Sequence, residues 1–109
     1  MSKINPADLL KGMYSAGYFP NPLVDKVRDV LLDACNDIES QNPADLDQLY
    51  AITHHATERI NDLQEDFFNQ GSEIETAARD DIATSFAHIA NTYGFAGADI
   101  EELVATREW

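Results

Sequence analysis

Residues 22–40, PLVDKVRDVLLDACNDIES, decide the fold. Leu23, Val27, Val30, Leu31, Ala34 and Ile38 recur at three- and four-residue steps, the spacing that keeps side chains on one face of a helix. Each residue advances the helix by about 100°, which sets Asp25, Asp29, Asp33 and Asp37 on a slanted row largely opposite that stripe. The segment reads as an amphipathic helix with one apolar and one acidic side. Cys35 falls on the apolar side and reads as a small buried hydrophobe.

The same logic extends in both directions. Three Asn-Pro pairs, Asn5-Pro6, Asn21-Pro22 and Asn42-Pro43, read as helix starts, because Asn can accept from first-turn amides and Pro needs no amide partner there. A first helix is expected over 6–16, with Leu9, Leu10, Met13 and Tyr14 on one side, stopping near Gly17. A third is expected over 43–69, with the stripe Leu46, Leu49, Tyr50, Thr53, Ala56, Ile60, Leu63 and Phe67. Its other face carries His54, His55, Glu58, Asp62, Glu65 and Asp66. Gly71 ends that helix, and Ser72 with Glu75 three residues later matches a capping box opening a fourth. The fourth runs to about 93 with Ile82, Phe86, Ile89, Ala90 and Tyr93 inward, and Gly94 closes it. Glu75 and Arg79, four residues apart beside the inward row, are expected to form a partly desolvated ion pair. A short helix near 98–106 uses Ile100, Leu103 and Val104, and Trp109 folds back onto the bundle. No segment alternates with period two, so the fold class is all-α: an antiparallel bundle of four main helices plus a short C-terminal helix.

Composition bounds the rest. In 109 residues, 20 Asp and Glu stand against 7 Lys and Arg, a formal charge of −13. A hydrophobic fraction of 44% nevertheless provides for a core, which argues against disorder, and the length serves one domain, 1–109, and not two. The cations are scattered from Lys3 to Arg107 and form no phosphate-binding cluster, so no nucleic-acid partner is expected. Nothing approaches the ~18 apolar residues of a membrane span, and Met1-Ser-Lys-Ile-Asn-Pro lacks a signal-peptide core. With Cys35 as the single cysteine, no intramolecular disulfide forms, and a reducing cytoplasm is the expected setting.

Three constellations bear on chemistry. His54, Glu58 and Asp62, with His55, have the four-residue spacing that lets one helix face chelate a metal, with Asp81 or His88 as outside ligands. The Glu-x-x-His pairs of di-iron bundles and the His-Glu-x-x-His of zinc proteases are both absent, so the plainer reading is a solvated face and no cofactor. Asp81, Ser85 and His88 lie within two turns, yet no Gly-rich elbow or anion-binding turn accompanies the serine, and no catalytic residue is assigned. A magnesium-dependent nucleotide hydrolase would draw on Glu58, Asp62 and Glu65 but lacks a matching acidic pair on a facing helix. The adjacent acids Glu65-Asp66 and Asp80-Asp81 point about 100° apart and do not share a substrate.

The third constellation is the acidic surface. Asp25, Asp29, Asp33 and Asp37 on one helix and Glu58, Asp62, Glu65 and Asp66 on the next would align if those helices are neighbours. Crowded like charges cost stability, and a basic protein partner is a functional reason to tolerate them. The leading expectation is a non-enzymatic acidic helical binding protein, an inhibitor or immunity protein for such a partner. The alternatives are a metal-binding or metal-dependent hydrolase bundle, and a homodimer that buries Tyr18, Phe19 and Trp109.

The segments Tyr18-Phe-Pro-Asn-Pro-Leu-Val-Asp-Lys26, Asn61-Asp-Leu-Gln-Glu-Asp-Phe-Phe68, Ser72-Glu-Ile-Glu-Thr-Ala-Ala-Arg79 and Asp99-Ile-Glu-Glu-Leu103 carry a resemblance. The chain resembles a bacterial family of small acidic helical proteins, a domain of unknown function. That resemblance implies a bacterial, single-domain protein, and it brings no catalytic or binding residues with it.

Overall fold

A computed structural model describes residues 4–109, and Lys3 lies outside the described residues. The helix expected from residues 22–40 is α2, Asn21–Gln41, and it buries Leu23, Val24, Val27, Val30, Leu31, Ala34, Cys35 and Ile38. Burying each large aliphatic fully is worth roughly 1.5–3 kcal/mol, which makes this stripe the spine of the core. Its neighbour, the 24-residue helix Leu46–Asn69, packs along it and buries Leu49, Ile52, Ala56, Ile60 and Phe67. Lys26 pairs with Asp66 at 3.3 Å and Arg59 with Asp33 at 2.9 Å, so the start of one helix meets the end of the other and the two are antiparallel.

The helix expected over 6–16 is divided. A one-turn 3₁₀ helix, Pro6–Asp8, is followed by a break and then by the six-residue α1, Lys11–Ala16. At the break Leu10 takes a left-handed conformation, φ 58°. That conformation costs a non-glycine residue roughly 1–2 kcal/mol. Leu9 and Leu10, on either side of the break, are both fully buried. Two buried leucines outweigh one strained residue.

With the 24-residue helix as α3, the remaining elements are α4, Thr76–Thr92, and α5, Ile100–Leu103. Among the described residues the fold is all-α without strands, and three of its helices are long. A fourth long helix is not present among them, because α1 is too short. α4 packs against α1, α5 and α2, and the C-terminal segment runs along α3. Polar side chains of α3 hold that segment: Thr57 Oγ1 lies 3.4 Å from the Leu103 carbonyl, and Asn61 donates to the Thr106 carbonyl at 3.0 Å and accepts from the Glu108 amide at 2.9 Å. Trp109 folds back and is buried, as expected.

The helix ends correct several local readings. Asn5 does accept from Ala7 N–H at 3.0 Å, but Asn21 lies inside α2 and caps nothing. Asn42 instead ends α2, in left-handed geometry with its N–H donated to the Ile38 carbonyl. Asp45 opens α3, accepting from Gln48 N–H at 2.9 Å, while the Gln48 side chain accepts from Ala44 N–H at 2.8 Å. The Ser72–Glu75 capping box does not form. Gly71, at φ 74°, turns the chain so that Gly71 N–H reaches the Phe68 carbonyl and Ser72 N–H the Phe67 carbonyl, a Schellman ending. Ser72 is thereby spent on closing α3, and Glu75 starts α4 without a side-chain cap. Gly94 closes α4 with the same pair of bonds.

Candidate functional site

The α2–α3 groove gathers part of the acidic surface. Lys26, Asp29, Val30, Arg59, Asp62 and Leu63 line a shallow depression of about 360 Å³. Asp33 and Asp66 border it through their bonds to Arg59 and Lys26. Asp29, Asp33 and Asp62 are exposed, and Glu58 and Glu65 are exposed one step round α3. Asp25 is turned elsewhere: its Oδ1 accepts from the Tyr14 hydroxyl at 2.5 Å and sits 3.6 Å from Arg28. Burial first, and the bond to Asp25 second, push the Tyr14 phenol up to about 12. Among the described residues, Asp37 is not part of the groove lining, and its carbonyl accepts from the Ser40 hydroxyl on its own helix. The surface is therefore not uniformly anionic, since Lys26, Arg28 and Arg59 are interleaved with the eight carboxylates.

His54, the first metal candidate, faces the C-terminal segment. Its Nε2 lies 2.7 Å from the Glu102 carbonyl, which can only accept, so this nitrogen carries the proton and donates. The His54 carbonyl in turn accepts from Thr106 Oγ1 at 3.2 Å. Glu58 and Asp62 stay exposed, as does His55. Among the described residues no three His, Cys, Asp or Glu side chains gather closely enough to hold one metal ion.

Asp81 and Ser85 also serve the backbone. Leu10 begins α1 with no side-chain cap of its own, and α4 supplies the acceptors. Ser85 Oγ accepts from Leu10 N–H at 3.1 Å, and Asp81 Oδ2 accepts from Met13 N–H at 2.8 Å. These are amides a six-residue helix cannot satisfy internally. His88 is exposed on the rim of the same depression, which Asp8, Lys11 and Thr84 complete. Ser85 is an acceptor in this arrangement, with no donor bond from its hydroxyl to a described histidine.

A cleft of about 540 Å³ at the far end of α3 carries a different set of groups. Phe68 stands 75% exposed on its rim. Ile74 and Trp109, both buried, form apolar wall, and Glu65, Glu73 and Glu108 supply carboxylates. Arg79 is the one described Lys or Arg without an ion pair, and the expected Glu75–Arg79 bridge is absent. The Tyr18 phenol is raised by desolvation first and by the Glu75 charge second. Trp109 is nine-tenths buried, and its indole N–H has no acceptor among the described residues. The sequence reading passed over this cleft. Its signal was the Phe67-Phe68 pair: adjacent helical residues diverge by about 100°, and Phe67 alone continues the step from Ile60 and Leu63, which sets Phe68 at the edge of the stripe.

The profile of a family described as Family of unknown function (DUF5713) matches residues 3–109. The chain belongs to that family. Membership in DUF5713 agrees with the helical architecture and assigns no reaction to any residue. No curated protein and no solved structure matches the chain. Among the described residues of this DUF5713 protein, no helix is long and apolar enough to cross a membrane. Of the aromatic residues read as a dimer contact, Phe19 and Trp109 are buried within the single chain, and Tyr18 alone stays 57% exposed.

Proposed function

We propose that this protein is a non-enzymatic helical binding protein that covers a basic protein partner with its acidic helix faces, in the manner of an inhibitor or immunity protein. The observation that supports this reading is the antiparallel α2–α3 pair, which brings Asp29, Asp33, Asp62 and Asp66 to one groove with Glu58 and Glu65 beside it. Lys26, Arg28 and Arg59 offset only part of that charge, in a chain of net charge −13. Such a field raises the association rate of a cationic partner and disfavours acidic competitors. The same proposal sets the protein in a reducing bacterial cytoplasm, consistent with a single, buried cysteine.

Affinity capture from the native host at low and moderate salt tests it. A stoichiometric basic protein that is released as salt rises, and that binds Asp29→Lys/Asp33→Lys less tightly, is the expected result. A complex indifferent both to salt and to that double charge reversal removes the electrostatic mechanism.

A further inference from the structure

We infer that the cleft at the end of α3 is a receptor for a basic side chain presented on an extended peptide segment of the partner. This inference rests on the reading that the partner is basic, and it names a place and a contact that the α2–α3 groove does not include. Four features carry it. Phe68 holds a large ring 75% in solvent beside a cavity, whereas Phe67, its neighbour, is completely buried. An exposed ring of this kind is a common anchor of protein interfaces. Ile74 and Trp109 provide apolar wall suited to the aliphatic stem of Arg or Lys, and the Phe68 face suits the cationic head.

The third feature is charge. Glu65, Glu73 and Glu108 outnumber Arg79 in the lining, so a cation is favoured over an anion. The fourth is Arg79 itself. Its guanidinium has five N–H donors and makes no ion pair, in a chain where every other described Lys or Arg has one. A free cation beside a cation-binding cleft is reconciled when the occupant is a peptide, because backbone carbonyls accept from the guanidinium while the basic side chain meets the carboxylates. A simple inorganic or organic cation leaves Arg79 without a role. The volume of about 540 Å³ accommodates one long side chain together with its flanking backbone.

Trp109 is the sole tryptophan and lines the cleft, so its fluorescence reports on occupancy directly. The full chain is titrated with acetyl-Ala-Arg-Ala-amide, with acetyl-Ala-Glu-Ala-amide and with free arginine. The Arg peptide is expected to give a saturable emission change, the Glu peptide none, and Phe68→Ala to weaken the Arg peptide about fivefold. Phe68→Ala leaves the core untouched, and its thermal melt is expected to match the parent. Arg79→Gln is expected to weaken the Arg peptide while leaving the preference over the Glu peptide intact.

Four results would overturn the inference. The first is no saturable change up to roughly 10 mM, a concentration at which even weak binding registers. The second is equal binding by Phe68→Ala, the third a preference for the Glu peptide, and the fourth binding of free arginine but not of the blocked peptide. Capture of a salt-sensitive basic protein equally by the parent and by Phe68→Ala would remove the cleft while leaving the basic-partner reading in place. Failure of capture by both, with a saturable Arg-peptide titration, would do the reverse.

Discussion

Asp81→Ala should weaken the fold by about 1–2 kcal/mol although the residue is only partly buried and belongs to no ion pair among the described residues. Its Oδ2 accepts from Met13 N–H at 2.8 Å, across 68 residues of sequence, and no side chain of α1 can replace it. A hydrogen bond to a charged acceptor is worth about 1.5–3 kcal/mol, and loss of a helix N-cap typically costs about 1 kcal/mol. Partial access of water to the orphaned amide favours the lower end of the first range. For a domain near this size, each kcal/mol moves Tm by about 4–8 °C, which places the variant roughly 5–15 °C below the parent. Urea denaturation with an unchanged m-value would show that stability moved and compactness did not. Asp80→Ala is the control, because Asp80 is the exposed neighbour on the same turn, and its effect should stay within about 0.5 kcal/mol. Hydrogen exchange at the Met13 amide gives a local reading, expected to quicken in Asp81→Ala alone. Equal stability of the two variants, with Met13 still protected, would refute the assignment of Asp81 as a cap supplied by α4.

Ser85→Ala should cost about 1–3 kcal/mol by leaving the Leu10 amide buried without an acceptor, measured by the same denaturation curves. Phe67→Ala should lose about 3–5 kcal/mol and Phe68→Ala less than about 0.5, a contrast between adjacent residues of one type that calorimetry resolves. Gly12→Ala should couple to Asp81, because a Cβ there would sit 3.3 Å from Asp81 Cγ; a double-mutant cycle with Asp81→Ala should show that the alanine is better tolerated once the carboxylate is gone. Tyr14 holds its proton more tightly in the folded chain than in the unfolded one, so its contribution is complete below the ordinary tyrosine value near 10 and lost as pH rises through about 12. Stability should fall across that window, and Tyr14→Phe should flatten the fall, read from denaturation curves at stepped pH.

The long helices were legible because their information is local. In α2 the apolar period and the acidic row are both written within residues 22–40, and the structure extends the expected span by one residue at each end. The ends were less legible, because one backbone group can be claimed by two elements. Ser72 fits a capping box by spacing, but closing α3 at Gly71 consumes its amide before α4 begins. The first helix failed for a longer-range reason: only α4, some 70 residues away, makes a break at Leu10 tolerable by accepting from Leu10 and Met13. No window over 6–16 contains that information. The acidic site was partly legible, since the row spacing is local, while the approach of Lys26 to Asp66 and Arg59 to Asp33 depends on how α2 meets α3.

Three of the residues that looked chemical in sequence turn out to be ones the fold itself employs. His54 donates to the Glu102 carbonyl, and Asp81 and Ser85 satisfy α1. Asp81 and Ser85 occupy places where an isolated backbone amide would otherwise lie partly or wholly out of water, which gives each a structural role. Folding offers no comparable reason for Phe68 or Arg79. One is a large ring left in solvent when Phe67 already fills the core, and the other is a cation without an ion pair among 20 acids. Both border the same cleft. Groups that stability does not require, gathered at one concavity, are the residues through which a binding protein of this fold would act.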